Sequence, residues 1–153
     1  MQMIEFTVPG PPVPKERARF GGGSSKRPRT PKKTRAYESR VGWCAIAAIQ
    51  KARNQSSKSV WAKGGHMAAV LTFYLPDERT RDVDNLIKSV LDGMNKVVYD
   101  DDRQVMGVIT VSRVDKHEPR MDARVYRSEN REELWRHFQN ITAKMDEAVV
   151  AHG

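Results

Sequence analysis

Between Arg81 and Val105 the chain gathers acids into two groups. Asp82 and Asp84 stand two residues apart, Lys88 follows four further on, and Asp92 four after that. Asp100, Asp101 and Asp102 then precede an apolar run. Crowded carboxylates repel one another and raise each other's pKa unless a counter-charge is present. A hard divalent cation such as Mg²⁺ or Mn²⁺ supplies one, because it prefers oxygen ligands. Such a cation lowers the pKa of a water and neutralises charge developing on a phosphate. Each residue also has a plainer role: an Asp before a helix caps it, an Asp triplet makes a solvated turn, and a Lys on a polar helix face meets solvent. The pair, the lysine and the triplet become informative together, beside a source of positive charge. They then point to a metal-dependent nuclease or another phosphate enzyme.

The elements that position these residues follow from periodicity. Leu86, Ile87, Val90, Leu91 and Met94 line one helix face, with Gly93 and Asn95 suiting its end. Asp84 is placed to cap this helix, starting near Asn85, and Lys88 and Asp92 fall on its polar face. Strands are expected at 3–8, 68–75, 105–114 and, as ARVYR, near 123–127, with HEPRMD a turn before the last. Val41, Ala45, Ala48 and Ile49 recur at helical spacing between Tyr37 and Arg53, which places Trp43 and Cys44 in a core. A further amphipathic pattern runs from Glu129 to Val150. The order predicts one small α/β (α+β) domain.

The 153 residues fit a single domain, and the single cysteine excludes an intramolecular disulfide or a cysteine metal cluster. No apolar run reaches the roughly 20 residues of a membrane span, and no signal pattern opens the chain, so a cytoplasmic location is expected. The net charge of +8 favours polyanionic partners. Its whole excess lies in residues 15–40, where Lys15, Arg17, Arg19, Lys26, Arg27, Arg29, Lys32, Lys33, Arg35 and Arg40 face only Glu16 and Glu38. Glycine, serine and proline dominate 21–35, which predicts a flexible basic loop. Phe20 beside the arginines is a candidate for stacking on bases, or else a core anchor.

The run Asp82-x-Asp84-Asn85-x-x-Lys88, followed by Asp101-Asp102-x-Gln104-Val105, resembles the RusA family of Holliday junction resolvases. So do PVPKERARF and TPKKTRAYE, typical of its phage and prophage members. The resemblance spans residues 3 to about 127. It separates a nuclease domain at 1–127, containing the basic loop 15–35, from a C-terminal helical extension at 128–153. It implies a mixed sheet flanked by helices, a homodimer, and Mg²⁺- or Mn²⁺-dependent cleavage of four-way DNA junctions. It assigns Asp82, Asp84 and Asp102 as the essential carboxylates, with Asp101 second as a ligand, and Lys88 as the essential lysine. Asp100 extends the family's pair and leaves the ligating register of the triplet open.

On this reading Lys88 stabilises the pentavalent phosphate or orients the water, and the cuts leave a 5′-phosphate and a 3′-hydroxyl. Two sites around a two-fold axis nick opposed strands, with Val97, Val98 and Tyr99 as candidate interface residues. Lys15, Arg17, Arg19, Phe20, Lys26, Arg27, Arg29, Lys32, Lys33 and Arg35 form the expected DNA-binding set. The alternatives are a nuclease for other branched or flapped DNA or for RNA, and a non-catalytic basic DNA-binding module.

Overall fold

The structure is a computed structural model that describes residues 1–20, 28–55 and 60–151. Its centre is a four-stranded mixed sheet built from β1 (Gln2–Pro9), β4 (His66–Leu75), β5 (Val105–Val114) and β6 (Arg120–Ser128). The order is β1-β6-β4-β5. β6 is antiparallel to both β1 and β4, whereas β4 and β5 run parallel. Parallel neighbours need a crossover, and α2 (Val83–Met94) supplies it. Two short strands, β2 (Arg19–Phe20) and β3 (Pro28–Arg29), pair with each other outside this sheet. The fold is a single small α+β domain, with three α-helices among the described residues.

One face of the sheet carries the main core. Ile4, Val8, Leu71, Phe73, Met121 and Val125 point to it and meet Tyr37, Val41 and Ala45 of α1 (Lys32–Gln55) and Leu86, Val90 and Met94 of α2. The two helices approach closely because glycines face each other: a Cβ on Gly93 would lie 2.7 Å from the Glu38 carbonyl, and one on Gly42 would lie 3.1 Å from the Gly93 carbonyl. Gly93 therefore serves packing, not helix termination as its place near the end suggested. On the opposite face, Leu134 and Phe138 of α3 (Arg131–Ala151) pack on Ala68 and Tyr126. Gly107 leaves the space that the Phe138 ring fills.

Four expectations change. Trp43 is 70% exposed, because the buried stripe of α1 runs through Thr34, Tyr37, Val41 and Ala45 and turns position 43 outward. α1 starts at Lys32, so Lys32, Lys33 and Arg35 stand on its first turn and not in a loop. The reason is that Thr34 and Tyr37 are both buried, and their packing outweighs the local cationic composition. β6 begins at Arg120, taking in residues assigned to a turn. Its alternation of Arg120, Asp122 and Arg124 suits a sheet face that helix packing leaves open. Val98 and Tyr99 are fully buried in this chain's own core and are closed to any partner.

Candidate active site

α2 presents its first turn outward. Asp82 occupies the N-cap with extended backbone, yet its side chain makes no cap hydrogen bond. It accepts instead from the Asn85 side-chain amide at 3.2 Å. Asp84 is therefore not the cap expected from the sequence but lies inside the first turn, two positions beyond Asp82. Negative charge is favourable at this end, where unpaired backbone N–H groups concentrate positive potential. Asp82, Asp84 and Lys88 are all exposed. With Asp92 the last two form a stripe at four-residue spacing along one face.

The other end of α2 leads into the aspartate triplet through a tight return. Lys96 adopts a left-handed φ of 67°, and its ammonium donates to the Asp100 carbonyl. Asp101 caps a single 3₁₀ turn, Asp102–Gln104, by accepting from the Arg103 N–H at 2.9 Å. The Arg103 guanidinium also pairs with Asp101 at 2.8 Å and, with the backbone bond, holds that carboxyl well below the usual carboxylate range. Gln104 locks the turn from the far side. Its Oε1 accepts from the Asp100 and Asp101 N–H groups at 2.9 Å each. Its Nε2 donates to the Lys63 and Gly65 carbonyls at 2.6 and 3.0 Å. Asp101 is thus committed to capping and to Arg103, while Asp102 is exposed.

Several other acids are matched with cations: Asp77 with Arg81, Asp92 with Lys15, Asp101 with Arg103, and Asp115 and Asp122 with Arg120. Among the described residues Asp82, Asp84 and Asp102 form no ion pair, and neither does Lys88.

The basic arm is strapped to α2. The Ser89 hydroxyl donates to the Val13 carbonyl at 2.7 Å, and the Lys15 N–H donates to the Asn85 carbonyl at 2.8 Å. The Lys15 ammonium bridges Asp92, at 2.8 Å, and Glu38 of α1. Burial pulls its pKa down, but the hydrogen bonds to Asp92 and Glu38 outweigh burial and leave it raised. Lys15 therefore clasps two helices, a role that its place in a cationic run did not reveal. On α1 Lys32, Lys33 and Arg35 are exposed, as Arg17 is on the arm. Arg19 and Phe20 lie on β2, facing Arg29 and Pro28 in register. Lys26 and Arg27 fall outside the described residues.

Two positioning residues carry signals of different strength. Gln104 stands inside the acidic motif, so its spacing pointed to it. Nothing in the sequence links Glu38 to Asp92, because their meeting depends on the α1–α2 contact.

The acids do not meet within one chain. Asp82 and Asp84 lie at the start of a 12-residue helix, which spans about 18 Å. Asp101 and Asp102 lie beyond its end, against the beginning of β5, where Val105 pairs with Met67. Among the described residues no three Asp, Glu, His or Cys side chains come together as a metal-binding group. The donor chemistry still suits a hard divalent cation: unpaired, exposed carboxylate oxygens at both ends of α2.

No helix among the described residues is long and apolar enough to cross a membrane. No curated protein matches the chain. The family model for endodeoxyribonuclease RusA matches residues 9–126, most of the sequence and all of the site. With the acidic motif, the unpaired carboxylates and the strapped basic arm inside that match, the chain belongs to the RusA endodeoxyribonuclease family, whose members are nucleases acting on DNA.

Proposed function

We propose that the protein is a divalent-metal-dependent endonuclease that resolves four-way DNA junctions as a homodimer. The observation that carries this reading is the set of three exposed carboxylates, Asp82, Asp84 and Asp102, without ion pairs beside a cationic arm in a RusA-family chain. Because the helix separates Asp102 from the other two, a second copy is inferred to bring its own Asp102 to the first copy's Asp82 and Asp84. These residues would hold Mg²⁺ or Mn²⁺, with Asp101 as a flanking carboxylate. The ion, when bound, supplies an activated water and charge neutralisation at the phosphate.

Lys88 lies one helical turn beyond Asp84 and carries an uncommitted ammonium. It offsets negative charge as the scissile phosphate becomes pentavalent. Arg17, Arg29, Lys32, Lys33 and Arg35 grip backbone phosphates, which positions DNA without reading its sequence. Arg19, Phe20, Lys26 and Arg27 extend the same arm. Junction preference then comes from shape and from the two-fold repetition of this surface. The cuts would leave a 5′-phosphate and a 3′-hydroxyl.

The test is cleavage of a four-way junction, a flap, a duplex and an RNA hairpin, each with and without Mg²⁺. The junction should be cut by paired symmetric nicks, and only with metal. Asp82→Asn should lower nicking at least about 100-fold while junction binding in EDTA persists. Near wild-type cutting by that variant, or preference for the flap or the RNA, would overturn the reading.

A further inference from the structure

α1 and α2 press together at Gly42 and Gly93 and leave a groove between them. The basic arm runs along α2 as far as Lys15, whose ammonium spans that groove from Asp92 to Glu38. Beside this clasp lies an open depression of about 310 Å³, lined by Gly42, Trp43 and Ile46 of α1 and by Asp92, Gly93 and Val97 at the end of α2. That is the lower end of the range for ligand pockets, roughly 300–1,000 Å³, and suits one flat group. The glycines make the space. A Cβ on Gly42 would come 3.7 Å from a Val97 methyl as well as 3.1 Å from the Gly93 carbonyl. Trp43 keeps 70% of its surface in solvent, so core packing does not account for it. Ser39 and Ala47, one turn to either side, are small and exposed, which leaves the indole face approachable.

The surroundings indicate the occupant. Lys32, Lys33 and Arg35 are exposed on the first turn of the same helix. Arg35 stands eight residues before Trp43, about 12 Å along the axis. That distance is a few nucleotides of backbone at ~3.4 Å or more each. On α2, Lys88 stands one turn before Asp92, about 6 Å away. A strand whose phosphates meet these cations therefore passes over the depression. Its phosphates are kept out of the depression itself, because Glu38 and Asp92 carry two negative charges against the single charge of Lys15. A base is not repelled: it offers a π-face to the indole, and amino or imino hydrogens to the carboxylates.

We propose that Trp43 stacks on an unpaired base of the cleaved strand, lodged in the α1–α2 depression close to the scissile phosphate. The inference rests on the nuclease reading above and names a residue that selects the branched substrate for it. Taking a base out of intact duplex costs its stacking and pairing, and the cost is least where the strand is already open. A branch point supplies such a base and a continuous duplex does not. The cations of the arm and of α1 hold both kinds of DNA, whereas Trp43 favours the branched one.

Binding by the full chain in EDTA, to a four-way junction and to a duplex, tests this. Trp43→Ala should weaken junction binding by about 5- to 150-fold, the worth of one base–aromatic stack, and leave duplex binding unchanged. Trp43→Tyr should keep most of the junction affinity. Junctions carrying a single abasic site at successive nucleotides around the crossover locate the base. At one position the missing base should weaken the wild type, and Trp43→Ala should weaken that junction no further. Unchanged junction binding by Trp43→Ala, an equal loss on duplex, or additive losses at every abasic position overturns the proposal. So does a shift to monomer on sedimentation of Trp43→Ala, which would give the indole to a protein contact. Mg²⁺-dependent nicking is read separately. Abasic coupling in a wild type that never nicks keeps the stacking site and removes the nuclease reading. Nicking that Trp43→Ala leaves untouched, with junction affinity intact, removes the stacking site alone.

Discussion

Gln104 holds more of the site than its neutral side chain suggests. Both ends of its amide are used, two bonds to the N–H groups of Asp100 and Asp101 and two to the carbonyls of Lys63 and Gly65. It therefore ties the aspartate turn to the segment that enters β4. A net contribution of roughly 0.5–1.5 kcal/mol per bond, not fully additive, makes Gln104→Ala about 2 kcal/mol destabilising. Urea unfolding should show that loss. The same variant should also weaken Mg²⁺-dependent nicking, because Asp102 sits within the released turn. Gln104→Glu keeps the acceptor toward Asp100 and Asp101 but sets a carboxylate against two carbonyls, so it should rescue less than half of the lost stability. A full rescue by Glu would mean that the bonds to Lys63 and Gly65 contribute nothing.

The element that organises everything else is α2, fixed by α1 on one side and by the arm along its length. Gly93→Ala places a methyl 2.7 Å from the backbone carbonyl of Glu38 and 2.8 Å from Val41, where neither can turn away. The helices must separate, and overpacking of this kind costs about 1–3 kcal/mol. The Lys15 clasp is the second restraint. Lys15→Met leaves Glu38 and Asp92 facing each other without their cation, a loss of about 1–2 kcal/mol for a pair between surface and core. The Lys15 pKa is raised in the folded state above 10.5. Its stabilisation is therefore complete below pH 10.5 and is lost as pH rises through the folded value. The gap between wild type and Lys15→Met in thermal melts should stay constant from pH 7 to about pH 10 and narrow above it. α2 itself was legible in the sequence, since its apolar residues fall on one buried face and its acids on the other. α1 was legible only in its middle: its first turn is cationic outside and buried at Thr34 and Tyr37, so composition pointed to a loop. Trp43 misled for the opposite reason, since an aromatic in an apolar run reads as core while the stripe beside it takes the burial. The start of β6 hid in alternating charges because half of the sheet's outer face carries no helix. The acidic pair, Lys88 and the aspartate triplet stood out in the residue spacing, but their separation did not, because it follows from a parallel crossover that puts the pair at one end of α2 and the triplet beyond the other.

At the scale of the whole molecule, that division makes a sharp genetic prediction. If each site takes Asp82 and Asp84 from one chain and Asp102 from the other, Asp82→Asn and Asp102→Asn homodimers are both dead, since every site in either contains one defect. A mixed dimer differs. One of its sites collects both defects, and the other collects none. Random mixing makes half of the dimers mixed, so about one quarter of the wild-type sites should reappear when the two inactive chains are co-expressed. Each restored dimer holds a single working site, so the products should be junctions nicked on one strand, with few resolved duplexes. Were each chain to hold a complete site of its own, every site in the mixture would keep one damaged carboxylate and no nicking would return. Asp84→Asn mixed with Asp82→Asn provides the control: those acids share one end of α2, so a mixed dimer has a defect in both sites and should stay inactive. Recovery in that control would place Asp82 and Asp84 in different sites, against the arrangement of the first turn of α2.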